Sequence, residues 1–477
     1  MRKRIASILL VALMLLSLLP VPAWAAEVTE EVSVGDINGT DGIDITDVNC
    51  LYEYLITGEQ DGSLSEKQFQ AAADLNKDGQ IDIYDLQILY EVASGLLSID
   101  DLPGNDKNKV KIGIITYLDE NSSTDLYFIN GIKEAIASLG LSESDYIVKT
   151  QVSQYQVYDT AVTLVDAGCN IIFANNFWYE PYLIQAAKEF PDVQFCHASG
   201  TRAHTEGLSN YHNAFASIYE SRYLTGIAAG TKLNEMIAAG KFTAGDAKMG
   251  FVGSFTYPEI ISAYTAFFLG ARSVCPTVTM DVTFSGWWYN VADEQKCVQN
   301  LIDRGCKLIS HHTDSLAVPV ACESAGIPNI PHNISRGDVF KNTYIVSSRI
   351  NWTPYFEYAI QCVQNGDAIA TDWTGTLSTG SVVMNELNTA VAATGTAEAI
   401  KAAVAKLESG ELHVFDCSTF TVNGKTLTSY LADVIDDGTY TPDTEAIIGG
   451  HFVESTYRSA PYFDIQIDGI ELLDVAF

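Results

Sequence analysis

Short apolar runs alternate with amphipathic stretches between residues 110 and 350. Runs such as "VKIGIITY", "NIIFANN" and "KMGFVGSF" have the length and composition of buried strands, whereas "DLYFINGIKEAIASLG" and "ADEQKCVQNLIDRG" place their apolar residues at helical spacing. Strands that alternate with helices in this way predict parallel sheets covered by helices on both faces. Because about 250 residues of this alternation exceed one compact sheet, we predict an α/β domain of two lobes.

The predicted strands end in aromatic, amide and hydroxyl side chains, with few paired carboxylates. These ends fall at 117–121, 175–178, 197–201, 254–257, 287–289, 311–314 and 332–333. Ligands of parallel sheets bind beyond the carboxyl ends of the strands, so these side chains predict a cleft that stacks a flat ring and hydrogen-bonds its edge. The chain has no Walker loop, no GxGxxG after its first strand, and no GxSxG or HExxH motif. The sequence therefore favours ligand binding without catalysis.

Some residues at these ends allow two interpretations. Trp287 and Trp288 are adjacent in an extended segment and point to opposite faces, so we expect Trp288 in the cleft and Trp287 in the core. Phe177 suits a core position as well as a ligand platform, and Asp314 suits a helix cap as well as a ligand contact. The adjacent pair at 311–312 predicts two satisfied polar histidines and no metal site.

A duplicated acidic motif lies near the start of the chain. "DINGTDGIDITD" at 36–47 and "DLNKDGQIDIYD" at 74–85 are offset by 38 residues, and an apolar helical stretch follows each copy. The second copy has oxygen-bearing side chains at its first, third, fifth and twelfth places, a carbonyl at its seventh and glycine at its sixth, which is the pattern of a calcium loop. Its predicted ligands are Asp74, Asn76, Asp78, Gln80 and Asp85.

The first copy departs from this pattern in its middle. Thr40 and Asp41 occupy the fifth and sixth places, and glycine moves to the seventh as Gly42. We therefore predict two Ca²⁺ sites, of which the first is atypical and binds more weakly. The predicted ligands of the first site are Asp36, Asn38, Thr40, Asp44 and Asp47.

The segment before the first copy, "EVTEEVSVG", has no helical period, so the first unit is a loop followed by a helix. Duplicated loop–helix units of this kind, over residues 33–97, resemble the dockerin module. The resemblance implies a small all-α calcium-binding module that docks onto a cohesin domain of a scaffold protein. It also implies that the tenth and eleventh places of the loops contact the cohesin. These partner-binding residues are Ile45, Thr46, Ile83 and Tyr84.

The net charge and the N-terminal segment indicate where the protein is located and which partners it does not bind. With 60 acidic and 27 basic residues, the net charge of −33 repels nucleic acid and anionic membranes. A signal peptide is predicted over 1–25, from "MRKR", an apolar run and "AWA", so we expect a secreted or cell-surface protein. The predicted signal peptide has no cysteine for a lipid anchor, and no later stretch is expected to insert into a membrane. The nine cysteines include no CxxC pair and predict buried free thiols. A polar linker is predicted at 98–109, ahead of a domain at 110–477.

Several stretches of the large domain carry a second resemblance. They are "EFPDVQFCHASG", "YESRYLTGIAAG", "LIDRGCKLISHHTDS", "NWTPYF" and the tail "GHFVESTYRSAPYFDIQIDGI". With them, residues 110–477 resemble the basic membrane protein family of substrate-binding proteins of ABC importers. The resemblance implies a two-lobed type I periplasmic-binding-protein-like fold, a purine nucleoside or nucleobase held between the lobes, an ABC permease that receives it, and no reaction.

The family's ligand-contacting positions can be placed on this chain one by one. The predicted ligand-binding residues are Asn121, Thr124, Asn176, Phe177, Trp178, Trp288, Thr313, Asp314 and Asn333. Several positions depart from the family's pattern. Asn121 replaces an Asp, Thr124 replaces an aromatic residue, Asn290 and Val291 replace an Asp-Pro pair, and Ile350 stands where other members have a ligand-contacting Lys. These departures change the charge of the cleft, so the resemblance supports a two-lobed binding domain more strongly than any one ligand.

The leading hypothesis is a secreted solute-binding protein attached to a scaffold by its dockerin-like module. Two alternatives stay open. One is a carbohydrate-active enzyme carried by the module, which would need two carboxylates about 5–10 Å apart across a cleft. The other is a calcium-sensing extracellular protein.

Overall fold

The computed structural model describes residues 33–40, 42–60, 63–77, 79–98, 109–334 and 337–477. The chain divides into two compact units, one up to Lys109 and one from Val110 to Phe477. The predicted signal peptide and residues 99–108 of the predicted linker lie outside the described residues.

Three helices form the N-terminal unit: α1 Ile45–Thr57, α2 Glu66–Ala73 and α3 Ile83–Ala93. The two helices that follow the acidic loops, α1 and α3, pack together, and Leu51, Phe69 and Leu89 are fully or almost fully buried between the elements. Helix α2 leads into the second loop. The sequence analysis missed it, because eight residues rich in Gln and Ala give little apolar periodicity. Ser65 caps it by accepting a hydrogen bond from the Gln68 N–H.

The second unit contains seventeen strands and ten helices among its described residues. The strands are β1 Ile112–Ile115, β2 Tyr146–Lys149, β3 Ile171–Ala174, β4 Gln194–Ala198, β5 Tyr211–Ala216, β6 Lys248–Gly253, β7 Thr279–Phe284, β8 Leu308–His312, β9 Asn329–Ile330, β10 Ser348–Ile350, β11 Asp372–Gly375, β12 Val382–Met384, β13 Leu431–Ala432, β14 Thr444–Glu445, β15 Ile447–Ile448, β16 His451–Phe452 and β17 Ile470–Leu472. The helices are α4 Ser123–Ser138, α5 Val157–Asp166, α6 Glu180–Glu189, α7 Ala203–Glu206, α8 Ile218–Ala238, α9 Pro258–Val274, α10 Val291–Asp303, α11 Ala317–Ala325, α12 Thr353–Asn365 and α13 Thr396–Glu408.

Two parallel sheets define the two predicted lobes. Lobe 1 has the strand order β11-β5-β4-β3-β1-β2, and lobe 2 has the order β17-β7-β6-β8-β9. Strands β1 and β3 are buried along their whole length, as expected for a sheet covered on both faces. The apolar run at 343–348, which resembles the other strands in sequence, makes one isolated bridge, Asn329–Tyr344, before β10 begins.

Helices α8 and α9 pack closely in lobe 2 because glycines face the partner helix. A Cβ at Gly226 would lie 2.1 Å from the Phe267 carbonyl oxygen, and one at Gly270 would lie 2.0 Å from the Tyr223 carbonyl oxygen. No larger side chain fits at either position without separating the helices. The close approach holds α9 against α8, and the first turn of α9 carries Glu259, which lines the cleft described below.

The cysteines agree with the sequence-based prediction. No disulfide joins the nine cysteines, and seven of them are buried, while Cys50 and Cys297 are half-buried. Burial raises the pKa of Cys196 to about 12, so this thiol stays protonated at neutral pH. No helix in the described part of the chain is both long and apolar enough to cross a membrane.

Candidate ligand cleft and calcium loops

The carboxyl ends of the two sheets face each other across a narrow cavity of about 70 Å³. Lobe 1 contributes residues that follow β1, β3, β4 and β5, and lobe 2 contributes residues that follow β6, β7, β8 and β9. Six of the predicted ligand-binding residues line this cavity: Thr124, Asn176, Phe177, Trp288, Asp314 and Asn333. We call this cavity the interlobe cleft.

A polar bridge joins the two lobes inside the cleft. Thr124, at the start of α4 in lobe 1, donates its hydroxyl to Asp314 Oδ1 at 2.6 Å. Asn333 in lobe 2 donates from Nδ2 to the same Thr124 oxygen at 3.3 Å. Asn333 holds this position with φ +50, a backbone conformation that Asn tolerates better than most residues. Asp314 therefore contacts the opposite lobe and does not cap a helix. At the start of α11 the Ala317 N–H donates its hydrogen bond to the Ser315 hydroxyl oxygen instead.

Three acids line the cleft, which corrects the expectation of few paired carboxylates. They are Asp125, Glu259 and Asp314. Burial raises the pKa of Asp314 to about 8, and the carboxyls of Asp125 and Glu259 act in the same direction. Burial also raises the pKa of Glu259 to about 7 and that of Asp125, whose Oδ1 accepts a 2.9 Å hydrogen bond from Asn175 Nδ2. Because the three carboxyls are buried close to one another, some of them stay protonated at neutral pH.

Two histidines of lobe 2 complete the polar lining. The rings of His312 and His332 lie 4.0 Å apart, and His312 Nε2 lies 3.3 Å from Glu259 Oε1. Burial and the nearby Arg222 guanidinium lower the pKa of His312 and of His332 well below the usual value, so both rings are neutral near pH 7. The prediction that His311 and His312 are a satisfied pair is wrong, because His311 Nε2 and His312 Nδ1 are both buried without a hydrogen-bond partner in the described protein.

Buried polar atoms without a protein partner surround the cavity. They are Asn175 Oδ1, Trp288 Nε1, His312 Nδ1, His332 Nδ1 and Asn333 Oδ1. A buried donor or acceptor that stays unpaired costs about 1–3 kcal/mol. A bound ligand with several donors and acceptors along its edge satisfies such atoms.

Aromatic rings form a continuous row beside the cleft. Phe177 of lobe 1 contacts Tyr257 of lobe 2 with ring centroids 5.5 Å apart. Tyr257 stacks on Phe255 at 5.0 Å and 12°, and Phe255 meets Trp288 at 5.5 Å. Phe177 and Trp288 are the members that line the cavity, so the row offers an aromatic surface at each end.

The acidic loops of the N-terminal unit close in the same way. In the first loop, Asp47 accepts hydrogen bonds from the N–H groups of Ile37 at 2.8 Å, Asn38 at 3.1 Å and Asp44 at 2.9 Å. In the second loop, Asp85 accepts from the equivalent groups, again at 2.8, 3.1 and 2.9 Å. Both carboxylates are fully buried. The irregular middle of the first loop therefore leaves its closure unchanged.

The loop residues fit a calcium ion. Asp74 Oδ1 is buried and has no hydrogen-bond partner, as expected of an oxygen placed to ligate a cation. In the first loop Asp36 is buried, and its Oδ1 accepts a hydrogen bond from the Thr40 N–H at 3.1 Å. The predicted ligand Asp78 and the neighbouring Asp41 lie outside the described residues. Among the residues that are described, no group of three or more His, Cys, Asp and Glu side chains is arranged to hold a metal.

The predicted partner-binding residues lie on the surface of the unit. Ile45, Ile83 and Tyr84 are 56%, 62% and 64% exposed, and Thr46 is exposed beside them. Tyr52 and Tyr90 follow one helical repeat later on α1 and α3 and are about half exposed. Large exposed apolar side chains at equivalent positions of two repeats are typical of a protein-binding surface.

Comparison with known proteins identifies the large unit. A family model described as ABC transporter substrate-binding protein, PnrA-like, matches residues 115–411, which is more than half of the chain. The chain belongs to this family. A second family model, the dockerin type I domain, matches residues 34–91. The predicted pairing of a PnrA-like substrate-binding domain with a dockerin module is thereby confirmed.

Two relatives are named as binding proteins. A putative ABC transporter glucose-binding protein of Haloferax volcanii is 30% identical over 217 residues, which are 46% of this chain and 52% of that protein. A purine-binding protein of Brucella abortus is 27% identical over 234 residues, which are 49% of this chain and 63% of that protein. The chain thus spans between half and two thirds of the length of each relative.

Solved structures agree with the predicted fold. The solute-binding protein of an ABC transporter from Conexibacter woesei has a TM-score of 0.51 at 19% identity and covers 64% of this chain and 98% of its own. One from Aeropyrum pernix has a TM-score of 0.52 at 15% identity and covers 66% and 94%. The type I periplasmic-binding-protein-like fold is confirmed by these neighbours, which at such identities show the fold alone.

Three predicted ligand residues of the PnrA-like domain lie outside the cleft. Asn121 is exposed and donates to Asp119 Oδ1 at 2.8 Å. Trp178 packs edge-on against Tyr117 and Phe255 behind the aromatic row. Thr313 is buried and donates its hydroxyl to Glu294 at 2.8 Å, which holds the turn that presents Asp314.

The tryptophan pair follows the prediction in part. Trp288 lines the cleft, as expected, whereas Trp287 is 50% exposed and not in the core. Ile350 also lines the cleft, so this position adds an apolar side chain to the lining. Asp125 and the two cleft histidines were not among the predicted ligand residues. The histidines carried one sequence signal, their position at or just after strand ends, whereas Asp125 lies in the first turn of α4.

Proposed function

We propose that this PnrA-like substrate-binding protein captures a purine nucleoside or nucleobase between its lobes and delivers it to an ABC importer. The observation that carries the proposal is the combination of aromatic surfaces with unpaired edge atoms in one narrow cleft. A purine presents a flat face for Phe177 or Trp288 and several donors and acceptors for the amide and imidazole atoms.

The residues of the polar bridge are suited to bind the sugar of a nucleoside. Asp314 and Asn333 come from lobe 2, and Thr124 comes from lobe 1. Ribose hydroxyls both donate and accept, so they can replace the Thr124 hydroxyl as the partner of Asp314 and Asn333. The similarity to a purine-binding protein of Brucella abortus supports this ligand class.

Calorimetric titration with adenosine, guanosine, hypoxanthine and D-glucose tests the ligand class. We expect binding of at least one purine compound and a loss of about tenfold or more in Asn333→Ala and Trp288→Ala. Asn121 and Trp287 are not among the residues that line the cleft, so Asn121→Ala and Trp287→Ala serve as matched controls and should leave the affinity unchanged. Binding of glucose alone, or equal effects in the controls, would contradict the purine proposal.

We also propose that the dockerin module attaches the protein to a cohesin domain of a scaffold, outside the cell or at its surface. Calcium would order the two loops, because their clustered carboxylates repel each other without a cation. The exposed residues at the tenth and eleventh loop places would then contact the cohesin.

Pull-down on immobilised cohesin domains tests the attachment. We expect capture in calcium, release in chelator, and loss of capture when Ile45 and Ile83 are both changed to Asp. Tyr155, which is 75% exposed in the large unit, provides a control as Tyr155→Ala. Calcium binding without capture by any cohesin type would favour the calcium-sensing alternative.

A further inference from the structure

A second and larger cavity, of about 490 Å³, adjoins the interlobe cleft. Phe177, Ser199, Phe215 and Glu259 line both spaces. The aromatic row passes between them, since Phe177 touches Tyr257, which lines the larger cavity. The two spaces are therefore neighbouring parts of one ligand-accessible region, and we call the larger one the extension cavity.

The C-terminal extension forms one wall of this cavity. Residues 412–477 follow the part of the chain that matches the PnrA-like family model. Strand β17 adds to the lobe 2 sheet beside β7. The Thr256 N–H donates to the Ala476 carbonyl at 2.7 Å, and the Ala476 N–H donates to Thr256 Oγ1 at 2.9 Å. These bonds hold the end of the chain against the loop that carries Tyr257.

The extension also reaches lobe 1. Thr201, which follows β4, donates its hydroxyl to Asp436 at 2.6 Å. The N–H and hydroxyl of Ser459 donate to Asp372 of β11 at 2.8 and 2.7 Å. Lobe 1, lobe 2 and the extension thus enclose the cavity together. A ligand in this cavity would be released when the lobes separate.

The chemistry of the cavity is rich in acceptors and in aromatic faces. Asp433, Asp436 and Asp464 line it, and Asp433 Oδ1 is buried without a partner. Its basic lining residue, Arg458, donates to the carbonyls of Ala460, Val434 and Pro461 at 3.2, 2.9 and 3.1 Å. Three of the five N–H donors of Arg458 are used in this way. Because three aspartates also line the cavity, it does not suit an anion such as a phosphate.

The same arginine argues against a cationic ligand. Its guanidinium attracts Asp433 and Asp436, and it already supplies a positive charge for these carboxylates. A neutral ligand that brings hydroxyl donors fits better than a second cation. Its apolar faces would lie on aromatic rings such as those of Tyr440 and Tyr462.

We propose that the extension cavity is a second subsite that takes a neutral, hydroxyl-rich sugar ring. The natural ligand then has two parts: a ring held in the interlobe cleft, which rests on the proposed function above, and a sugar held by the extension. The extension would distinguish such conjugates from single nucleosides.

Calorimetric titration of the full chain separates the two sites, with D-glucose and cellobiose as probes of the extension cavity and adenosine as the probe of the cleft. We expect at least one sugar to bind in the presence of saturating adenosine. We expect its affinity to fall about tenfold in Tyr440→Ala and in Asp433→Asn and to stay unchanged in the surface control Tyr155→Ala. Tyr440 is 68% exposed, so its truncation leaves the fold intact.

Three results would overturn the subsite. One is the absence of sugar binding, with adenosine binding intact, in which case the proposed purine function stands alone. Another is sugar binding that is lost in Asn333→Ala but kept in Tyr440→Ala, which would place the sugar in the cleft. The third is binding of choline in place of sugars with the same dependence on Tyr440, which would show a cation subsite.

Discussion

The equal closure of the two calcium loops predicts equal costs when their twelfth-place carboxylates are removed. Asp47→Ala and Asp85→Ala each delete three hydrogen bonds from buried or half-buried backbone N–H groups to a buried carboxylate. At about 1 kcal/mol or more for each bond, either change costs at least about 3 kcal/mol. A unit of this size has a free energy of unfolding of roughly 3–10 kcal/mol, so the loss is a large part of the total.

Hydrogen-exchange mass spectrometry on the full chain in saturating calcium measures this loss in peptides from α1 and α3. A cost of about 3 kcal/mol lowers their protection about 150-fold. We expect the two variants to agree within about tenfold, despite the irregular middle of the first loop, and the exposed control Glu53→Ala to have no effect. Strong loss in Asp85→Ala with normal protection in Asp47→Ala would refute the inference that both loops close alike.

Three further predictions concern the large unit. The pKa of Asp314 is raised to about 8 in the folded state, so the folded protein holds a proton that the unfolded chain releases near pH 4. This carboxyl therefore lowers the stability of the protein as the pH rises from 4 to 8. Asp314→Asn should flatten that part of a thermal-shift profile measured against pH. Gly226→Ala, whose Cβ would meet the Phe267 carbonyl, should cost about 1–3 kcal/mol in denaturant unfolding, while Gly245→Ala, with no atom closer than 3.9 Å, should cost little. Asn333→Ala should lower the affinity for a bound purine nucleoside about tenfold in calorimetry.

The local patterns of the sequence were sufficient for the module and for the lobes. Calcium loops depend on side-chain spacing within twelve residues, so Asp47 and Asp85 could be placed without knowing the fold. Buried parallel strands are continuous apolar runs, so β1, β3 and β6 were visible directly. The weak apolar period of α2 hid that helix.

The cleft depends on contacts between residues far apart in the chain, and the sequence predicted only some of these contacts. Thr124 and Asp314 are 190 positions apart and meet because two sheets face each other. The convergence of Asp125 and Glu259 on the same cavity, and the role of the extension beside it, follow from the pairing of lobes and not from any local motif.

Mass spectrometry of small molecules released from protein purified without added ligand tests the central proposal most directly. We predict a purine nucleoside or nucleobase in the released fraction, free or linked to a sugar, and its loss from protein carrying Trp288→Ala. A free sugar as the sole released compound, together with no thermal shift across a panel of nucleosides and nucleobases, would contradict the account.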